Sequence, residues 1–130
     1  MGQKEGELML SEHSLARFLD TLASDAPAPG GGSMAAFSGA AAAGLIEMVA
    51  GLTIGKKGYE AVAEEMAAIK GKAAAARARL TLLIDEDAAA FDGVMAAFAL
   101  PKATEEEKAA RKAAVQTAFI HAARLPMETA

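Results

Sequence analysis

Asp87 is the residue whose position in this sequence most strongly suggests chemistry. It lies on the apolar stripe of a predicted helix, three residues after Ile84 and four before Phe91, whereas Asp85 and Glu86 lie off that stripe. A carboxylate among apolar side chains costs free energy unless it is paired or has a function. Asp87 is therefore either a structural carboxylate, hydrogen-bonded to a lysine or a helix end, or a group that moves protons or stabilises a positive charge.

The turn from Pro29 to Ser33 could bind an anion or a planar ligand. It consists of Pro29, Gly30, Gly31, Gly32 and Ser33, and it precedes a predicted helix. The free N–H groups at a helix N-terminus attract anions, so the turn offers donors in the right place. It lacks the spacing of a dinucleotide-binding motif, and no alternation of strands and helices surrounds it.

Lysines follow two of the predicted helices. Lys56 and Lys57 come after one, and Lys102 stands beside Pro101 after another. Each of these lysines is either a solvated helix end or an anchor for the anionic tail of a ligand.

Charge and composition exclude several classes of site and partner. With 13 Lys and Arg against 17 Asp and Glu, the net charge is −4, and the chain lacks the basic footprint of a nucleic-acid binder. The absence of cysteine excludes disulfides, a thiolate nucleophile and cysteine-based metal sites. His13, in an exposed first turn, and His121 each lack a second ligand at metal-binding spacing, so we expect no metal site. No basic-then-apolar leader opens the sequence, which predicts a cytoplasmic protein.

The elements that must position these residues are predicted to be helices. Alanine occupies 35 of 130 positions and aromatic residues only 5%, a composition that favours closely packed helices. We expect an all-α fold, an antiparallel bundle of about four helices with one long helix, forming a single domain over residues 1–130. The predicted helices cover about 11–24, 33–55, 59–98 and 104–125, with Ser11, Ser33 and Thr104 as N-caps and Pro126 interrupting the last.

The third predicted helix is too long for a compact chain of this size. A continuous helix over 59–98 would be about 60 Å long, whereas a compact chain of 130 residues is about 35 Å across. Either the helix breaks, with Gly71 as the obvious place, or something outside the chain covers part of it. We therefore expect the bundle to be completed by self-association or by further C-terminal helices.

The second predicted helix has the length of a membrane span. Residues 34–54 carry one charge, Glu47, and 21 residues can cross a bilayer. Most of the segment is alanine and glycine, which are weakly hydrophobic, and a carboxylate inside a span is costly. Small residues at four-residue spacing let helices pack closely, both in membrane dimers and in the central helices of soluble bundles. We favour the soluble bundle and expect no membrane association.

Four segments, in order along nearly the whole chain, together resemble the C-terminal domain of the formiminotransferase-cyclodeaminase family, which includes stand-alone bacterial methenyltetrahydrofolate cyclohydrolases. They are SLARFLDTLASDAPAPGGGSMAA (14–36), MVAGLTIGKKGYE (48–60), IDEDAAAFDGVM (84–95) and LPKATEEEKAARKAAVQTA (100–118). The resemblance implies an all-helical domain that self-associates as a homodimer and binds tetrahydrofolate between helices or subunits. It also implies that the domain continues past residue 130, which leaves open whether this chain alone is active.

The resemblance implies roles for particular residues. Asp87 would be catalytic. The substrate-binding residues would be Pro29, Gly30, Gly31, Gly32, Ser33, Lys56, Lys57, Phe91, Pro101 and Lys102. The implied reaction is methenyltetrahydrofolate cyclohydrolysis, with formimidoyltetrahydrofolate cyclodeamination as the alternative enzyme activity and a non-catalytic helical assembly module as the third reading. Neither reaction needs a metal or a cofactor beyond the tetrahydrofolate substrate.

Overall fold

The structure is a computed structural model that describes residues 8–130. Its four α-helices are α1 (Leu15–Leu22), α2 (Gly31–Thr53), α3 (Ala63–Phe98) and α4 (Glu105–Thr129), with short 3₁₀ turns at Leu10–Glu12 and Glu60–Val62. No strand occurs among these described residues, so the predicted all-α class is confirmed. The expectation about a leader falls partly on residues 1–7, which lie outside the described range.

Helices α2 and α3 form the central pair and run antiparallel. At one end of the pair, the buried Ser33 hydroxyl donates a hydrogen bond to the Ile84 carbonyl at 2.7 Å. Further along α2, Gly39 faces Leu80. A Cβ added to Gly39 would lie only 3.1 Å from the Cδ1 of Leu80. Small residues on α2 thus let the backbones of the two helices approach closely.

Helix α4 returns along α3 in the opposite direction. Near the α3–α4 loop, the rings of Phe98 and Phe119 meet edge to face with centroids 5.8 Å apart. At the other end of α4, the Arg79 guanidinium binds Glu128, with 2.6 Å from Nε to Oε1, and it also binds Glu86 at 2.8 Å. The hydrogen bonds that Arg79 donates hold the pKa of Glu128 below its ordinary value, and acceptance of these bonds by Glu128 and Glu86 raises the pKa of Arg79. Arg79 therefore ties the last turn of α4 to α3.

The buried core lies between α1, the first half of α2, the middle of α3 and the end of α4. Phe18 of α1 stacks on Phe37 of α2 with ring centroids 5.4 Å apart. The buried apolar cluster comprises Phe18, Ala36, Leu83, Ile84, Ala90 and Leu125. This cluster fixes the position of α2 relative to the middle of α3.

Two of the three predicted N-caps are wrong. The N-cap of α1 is Ser14, and Ser11 instead donates its backbone N–H at 3.1 Å, and its hydroxyl, to Asp85. Helix α2 begins at Gly31, so Ser33 lies inside the first turn, where its hydroxyl reaches α3. In both cases a tertiary hydrogen bond takes the hydroxyl that sequence reasoning assigned to the helix end.

The predicted capping box at the start of α4 is confirmed. The Thr104 hydroxyl accepts from the Glu107 N–H at 3.1 Å, and the Glu107 carboxylate accepts from the Thr104 N–H at 3.2 Å.

Pro126 does not interrupt the helix as predicted, because it lies in the last turn, where losing one N–H removes a single helical bond. Helix α3 also continues through Gly71, and its 36 residues give a length of about 54 Å.

The outer face of α2, opposite α3, is left uncovered by the residues that the structure describes. Its second half exposes large apolar side chains, with 59% of Leu45, 58% of Val49 and 71% of Leu52 accessible. By length and composition, α2 is apolar enough to cross a membrane, and only 22% of its most apolar stretch is buried. A helix that is apolar all round is usually buried in a protein core or in a membrane, so the exposure of this face is unusual for a helix of its composition.

Candidate functional site

The structure brings together the two sequence features that suggested chemistry, the Asp87 carboxylate and the glycine turn. A Cβ built on Gly32 would collide with the Cγ and both carboxylate oxygens of Asp87. The half-buried carboxylate therefore lies directly against the Gly32 backbone, in space that any larger residue would fill. This contact defines the candidate site.

The first turn of α2 supplies hydrogen-bond donors beside that carboxylate. The first bond of the helical ladder runs from the Met34 N–H to the Gly30 carbonyl at 3.0 Å, and Gly30 has no side chain to cap the helix. The N–H groups of Gly31, Gly32 and Ser33 thus precede the ladder, at the positive end of the helix dipole. The site combines a negatively charged acceptor with backbone donors.

Asp87 differs from its two neighbours in having no assigned partner. Asp85 accepts two hydrogen bonds from Ser11, and Glu86 is bound by Arg79. Among residues 8–130 the Asp87 carboxylate takes part in no hydrogen bond or ion pair, and it lies against Gly32 of α2. Its oxygens are therefore available to a ligand or to a transferred proton.

Two further predicted residues lie at the same end of the helix pair. Pro29 is buried just before α2, after a cis Ala28–Pro29 bond. Phe91 follows Asp87 by one turn of α3, and its ring is partly exposed. Phe91 thus offers accessible apolar surface one helical turn from the carboxylate, whereas Pro29 is covered.

The structure does not bring the predicted lysines into this site within one chain. Lys56 and Lys57 follow the far end of α2, and the 22 residues from Gly32 to Thr53 span about 30 Å along the helix axis. Lys56 is exposed, with its Nζ 5.3 Å from the centroid of the Tyr59 ring.

The turn that contains Pro101 and Lys102 lies closer to Asp87 along its helix than Lys56 and Lys57 lie to Gly32. Pro101 and Lys102 are exposed in the loop after α3, and α3 continues for about 17 Å between Asp87 and Phe98. One chain therefore assembles Pro29 to Ser33, Asp87 and Phe91, and it leaves the lysines apart from them.

Sequence reasoning missed His13. It was expected in an exposed turn, but it is half-buried, and its Nε2 lies 3.2 Å from the Leu8 carbonyl oxygen. If Nε2 donates there, Nδ1 carries a lone pair, and Nδ1 is buried with no partner among the described residues. Recognising Ser14 as the N-cap of α1 would have indicated this burial. The residue before an N-cap, here His13, commonly packs on the fourth helical residue, here Phe18.

His13 lines two cavities that do not include Asp87. One, of about 330 Å³, is mostly apolar and includes Phe18 and Ile84 in its wall. The other, of about 830 Å³, lies between the N-terminal segment and α3, and both Arg17 and Asp92 line it. In the part of the chain that the structure describes, no group of three or more His, Cys, Asp or Glu side chains is arranged to hold a metal ion.

Comparison with known proteins decides the family. The family model described as formiminotransferase-cyclodeaminase matches residues 14–130, which include all four α-helices. The chain belongs to the formiminotransferase-cyclodeaminase family. The resemblance inferred from the four sequence segments is confirmed.

Relatives within the formiminotransferase-cyclodeaminase family carry two different enzyme names. Methenyltetrahydrofolate cyclohydrolase of Methylorubrum extorquens is 48% identical over 119 residues, covering 92% of this chain and 57% of the relative. Formimidoyltransferase-cyclodeaminase of Rattus norvegicus is 36% identical over 124 residues, covering 95% of this chain and 23% of the relative. This chain thus spans little more than half of the first relative and less than a quarter of the second.

A solved structure supports the same fold for this formiminotransferase-cyclodeaminase family member. The crystal structure of formiminotetrahydrofolate cyclodeaminase from Thermotoga maritima matches with a TM-score of 0.76 and 39% sequence identity. The match covers 92% of this chain and 55% of that chain.

Proposed function

We propose that this chain acts on a tetrahydrofolate one-carbon adduct as a methenyltetrahydrofolate cyclohydrolase. The observation that carries the proposal is the Asp87 carboxylate, which lies without a hydrogen-bond partner among the described residues against Gly32 in the first turn of α2. The 48% identity to a relative with that name supports the choice of substrate.

The chemistry needs what this arrangement offers. In 5,10-methenyltetrahydrofolate, one carbon bridges N5 and N10 as a positively charged amidinium. Water adds to that carbon and loses one proton, which is released and leaves a neutral hydroxyl adduct. The hydroxyl then loses its remaining proton as the bond from carbon to N5 breaks, and N5 gains a proton, which gives 10-formyltetrahydrofolate. A carboxylate beside the bridging carbon stabilises the cation and accepts the proton of the attacking water.

The remaining residues of the site have roles that follow from their chemistry. Asp87 is the proposed base, and the N–H groups of Gly31 and Gly32 would stabilise the negative charge that develops on the adduct oxygen as it loses its remaining proton. The exposed Phe91 ring would pack against the flat pterin ring, and the buried Pro29 would hold the glycine turn in place. The reaction is a hydrolysis with no net oxidation, so we propose no cofactor beyond the folate.

Cyclodeamination is the second candidate, and the names of several relatives favour it. Here N10 attacks the formimino carbon of 5-formiminotetrahydrofolate, the ring closes, and one added proton allows the nitrogen to leave as ammonia. The same carboxylate would act in its protonated form, as the acid that supplies the leaving amine.

We further propose a soluble cytoplasmic homodimer. The many charged residues outside α2 and the folate-enzyme names of the relatives support a cytoplasmic location. The exposed outer face of α2 supports association of two copies.

The experiment that tests this function follows the absorbance of methenyltetrahydrofolate after adding the purified chain. Loss faster than the uncatalysed rate is expected, and Asp87→Asn is the matched control. A rate equal to the uncatalysed one would contradict an enzymatic role and favour a non-catalytic assembly module. Adding formiminotetrahydrofolate and measuring ammonia separates the cyclohydrolase from the cyclodeaminase.

A further inference from the structure

The Ser33 hydroxyl has a partner that sets it apart from other hydroxyls on the helices. Four threonines each donate to the carbonyl four residues earlier in their own helix: Thr21, Thr53, Thr81 and Thr129. That local bond is a common one for a hydroxyl inside a helix. Ser33 instead donates across to α3, to the Ile84 carbonyl oxygen at 2.7 Å. Its hydroxyl therefore joins two helices.

The burial of Ser33 argues against the substrate-binding role that the family resemblance implies for it. Its exposed fraction is 0%, and the one hydrogen of its hydroxyl is used in the bond to Ile84. A buried hydroxyl whose hydrogen is already engaged is poorly placed to touch a folate. The side chain therefore needs a different role if it serves the site at all.

Ser33 and Gly32 are adjacent on α2, and the groups that they meet lie about one turn apart on α3. Ser33 is bonded to Ile84, and Gly32 lies against the carboxylate of Asp87, three residues further along. Three residues correspond to about 4.5 Å along a helix axis. The hydrogen bond is directional, whereas Asp87 meets Gly32 without one. The place of the Gly32 backbone beside Asp87 therefore depends on the bond next to it.

Polar contacts between α2 and α3 are few. Among the described residues, the other side-chain hydrogen bonds between these two helices join Glu47 to Arg77. Glu47 is 14 residues from Ser33, which is about 21 Å of helix. Apolar packing, as at the buried Ala36, holds the helices together but is not directional. The Ser33 bond is thus the polar contact that fixes how α2 lies along α3 at the candidate site.

We infer that Ser33 is a positioning residue for Asp87, because its bond to the Ile84 carbonyl sets the register of α2 on α3 and thereby the place of the Asp87 carboxylate at the glycine turn. This inference rests on the proposed function, since only the role assigned to Asp87 gives that register a consequence for turnover. Without the bond, the first turn of α2 shifts along α3. A shift of about 1 Å in a reacting group costs about a hundredfold in rate.

The division of the effect between kcat and KM tests this role. Ser33→Ala removes the donor, and its kinetics are measured at a temperature where circular dichroism shows it fully folded. Its kcat for methenyltetrahydrofolate should fall at least about tenfold, and its KM should stay within about twofold of the wild-type value. A higher KM with an unchanged kcat would overturn the inference and favour direct binding of the substrate by Ser33.

Thr104→Ala is the matched control for the loss of one hydroxyl hydrogen bond. It removes the acceptor for the Glu107 N–H at the start of α4, after the loop that follows α3. It should lower the thermal midpoint by a few degrees and keep the wild-type kcat. An equal loss of kcat in Ser33→Ala and Thr104→Ala would overturn the inference, because the loss would then follow from stability alone.

A double variant and a spectroscopic measurement test the link to Asp87. In an Asp87→Asn background, Ser33→Ala should change kcat very little, and a full additional loss would overturn the inference. The NMR resonance of the Asp87 carboxyl carbon reports its surroundings without relying on turnover. Ser33→Ala should move this resonance and Thr104→Ala should not, and an unmoved resonance in Ser33→Ala would overturn the inference.

The outcomes separate this inference from the proposed function. An active wild type whose kcat survives Ser33→Ala overturns the positioning role and leaves the proposed function standing. A wild type no faster than the uncatalysed reaction overturns the proposed function. The Asp87 resonance then decides by itself whether Ser33 sets the place of the carboxylate.

Discussion

Replacing Gly32 by alanine should disable the site while leaving the helix intact. The added Cβ would occupy the space that the Asp87 carboxylate now fills. Restoring an ordinary contact of about 3.5 Å requires the carboxylate to move by about 1 Å. A displacement of that size in a reacting group lowers turnover by about a hundredfold. Alanine is also the better helix former, by about 1 kcal/mol, so the loss of activity should come without a large loss of stability.

The neighbouring glycine provides the matched control. A Cβ on Gly31 would meet nothing within 4 Å, and Gly31 does not have a positive φ. Gly31→Ala should therefore keep wild-type turnover and a thermal midpoint equal to or above that of the wild type. The assay is the absorbance loss of methenyltetrahydrofolate, with circular dichroism to follow unfolding.

A double variant identifies the cause of the loss. If Gly32→Ala acts by displacing the carboxylate, it should change turnover very little in an Asp87→Asn background, because residues in contact are not additive. Equal activity of the two alanine variants, or a full additional loss in the Asp87→Asn background, would refute the reasoning.

The other predictions concern catalysis, packing and pH. Asp87→Asn should lower kcat/KM at least about tenfold with unchanged helicity by circular dichroism, and near-wild-type turnover would rule out its role in proton transfer. Ser33→Ala should lower the free energy of unfolding by about 1 kcal/mol in a urea titration, because it removes a buried hydrogen bond to α3, and an unchanged urea midpoint would contradict this. Because Arg79 lowers the pKa of Glu128, their pair should stabilise the fold above the unfolded carboxyl pKa and lose its effect as pH falls through the lower folded value. Glu128→Gln should thus lower the thermal midpoint at pH 6, and this difference from the wild type should shrink as the pH falls below the ordinary carboxyl range. A difference that stays constant as the pH falls would contradict the assignment.

The helical class and most element positions follow from the sequence because they depend on local properties. The capping box at Thr104 is a contact between residues three apart, and the structure contains it as predicted. Ser11 and Ser33 were assigned to helix ends by the same local logic, and both assignments were wrong. Their hydroxyls bind α3 at positions 74 and 51 residues further along the chain, which no local pattern reveals.

The site was predictable in part for the same reason. Asp87 and the glycine turn could each be recognised from their residue types and places on a helix. Their contact depends on the register between α2 and α3, which is set by tertiary packing. The distance from Gly32 to Lys56 and Lys57 follows from the length of α2. It becomes informative only once the contact between Asp87 and Gly32 is known.

The close approach of α2 and α3 has a consequence for mutagenesis. Where the two backbones meet, α2 contributes alanine and glycine, for example Ala36, Gly39, Ala40 and Ala43. Replacing side chains by alanine removes almost no atoms at such positions. A conventional alanine scan would therefore show almost no change in stability or activity at the interface between α2 and α3. Enlargement is the informative change, because one added methyl group in a tightly packed seam forces the helices apart at a cost of about 1–3 kcal/mol. Scanning this protein with valine or leucine would map the contacts on which its active geometry depends.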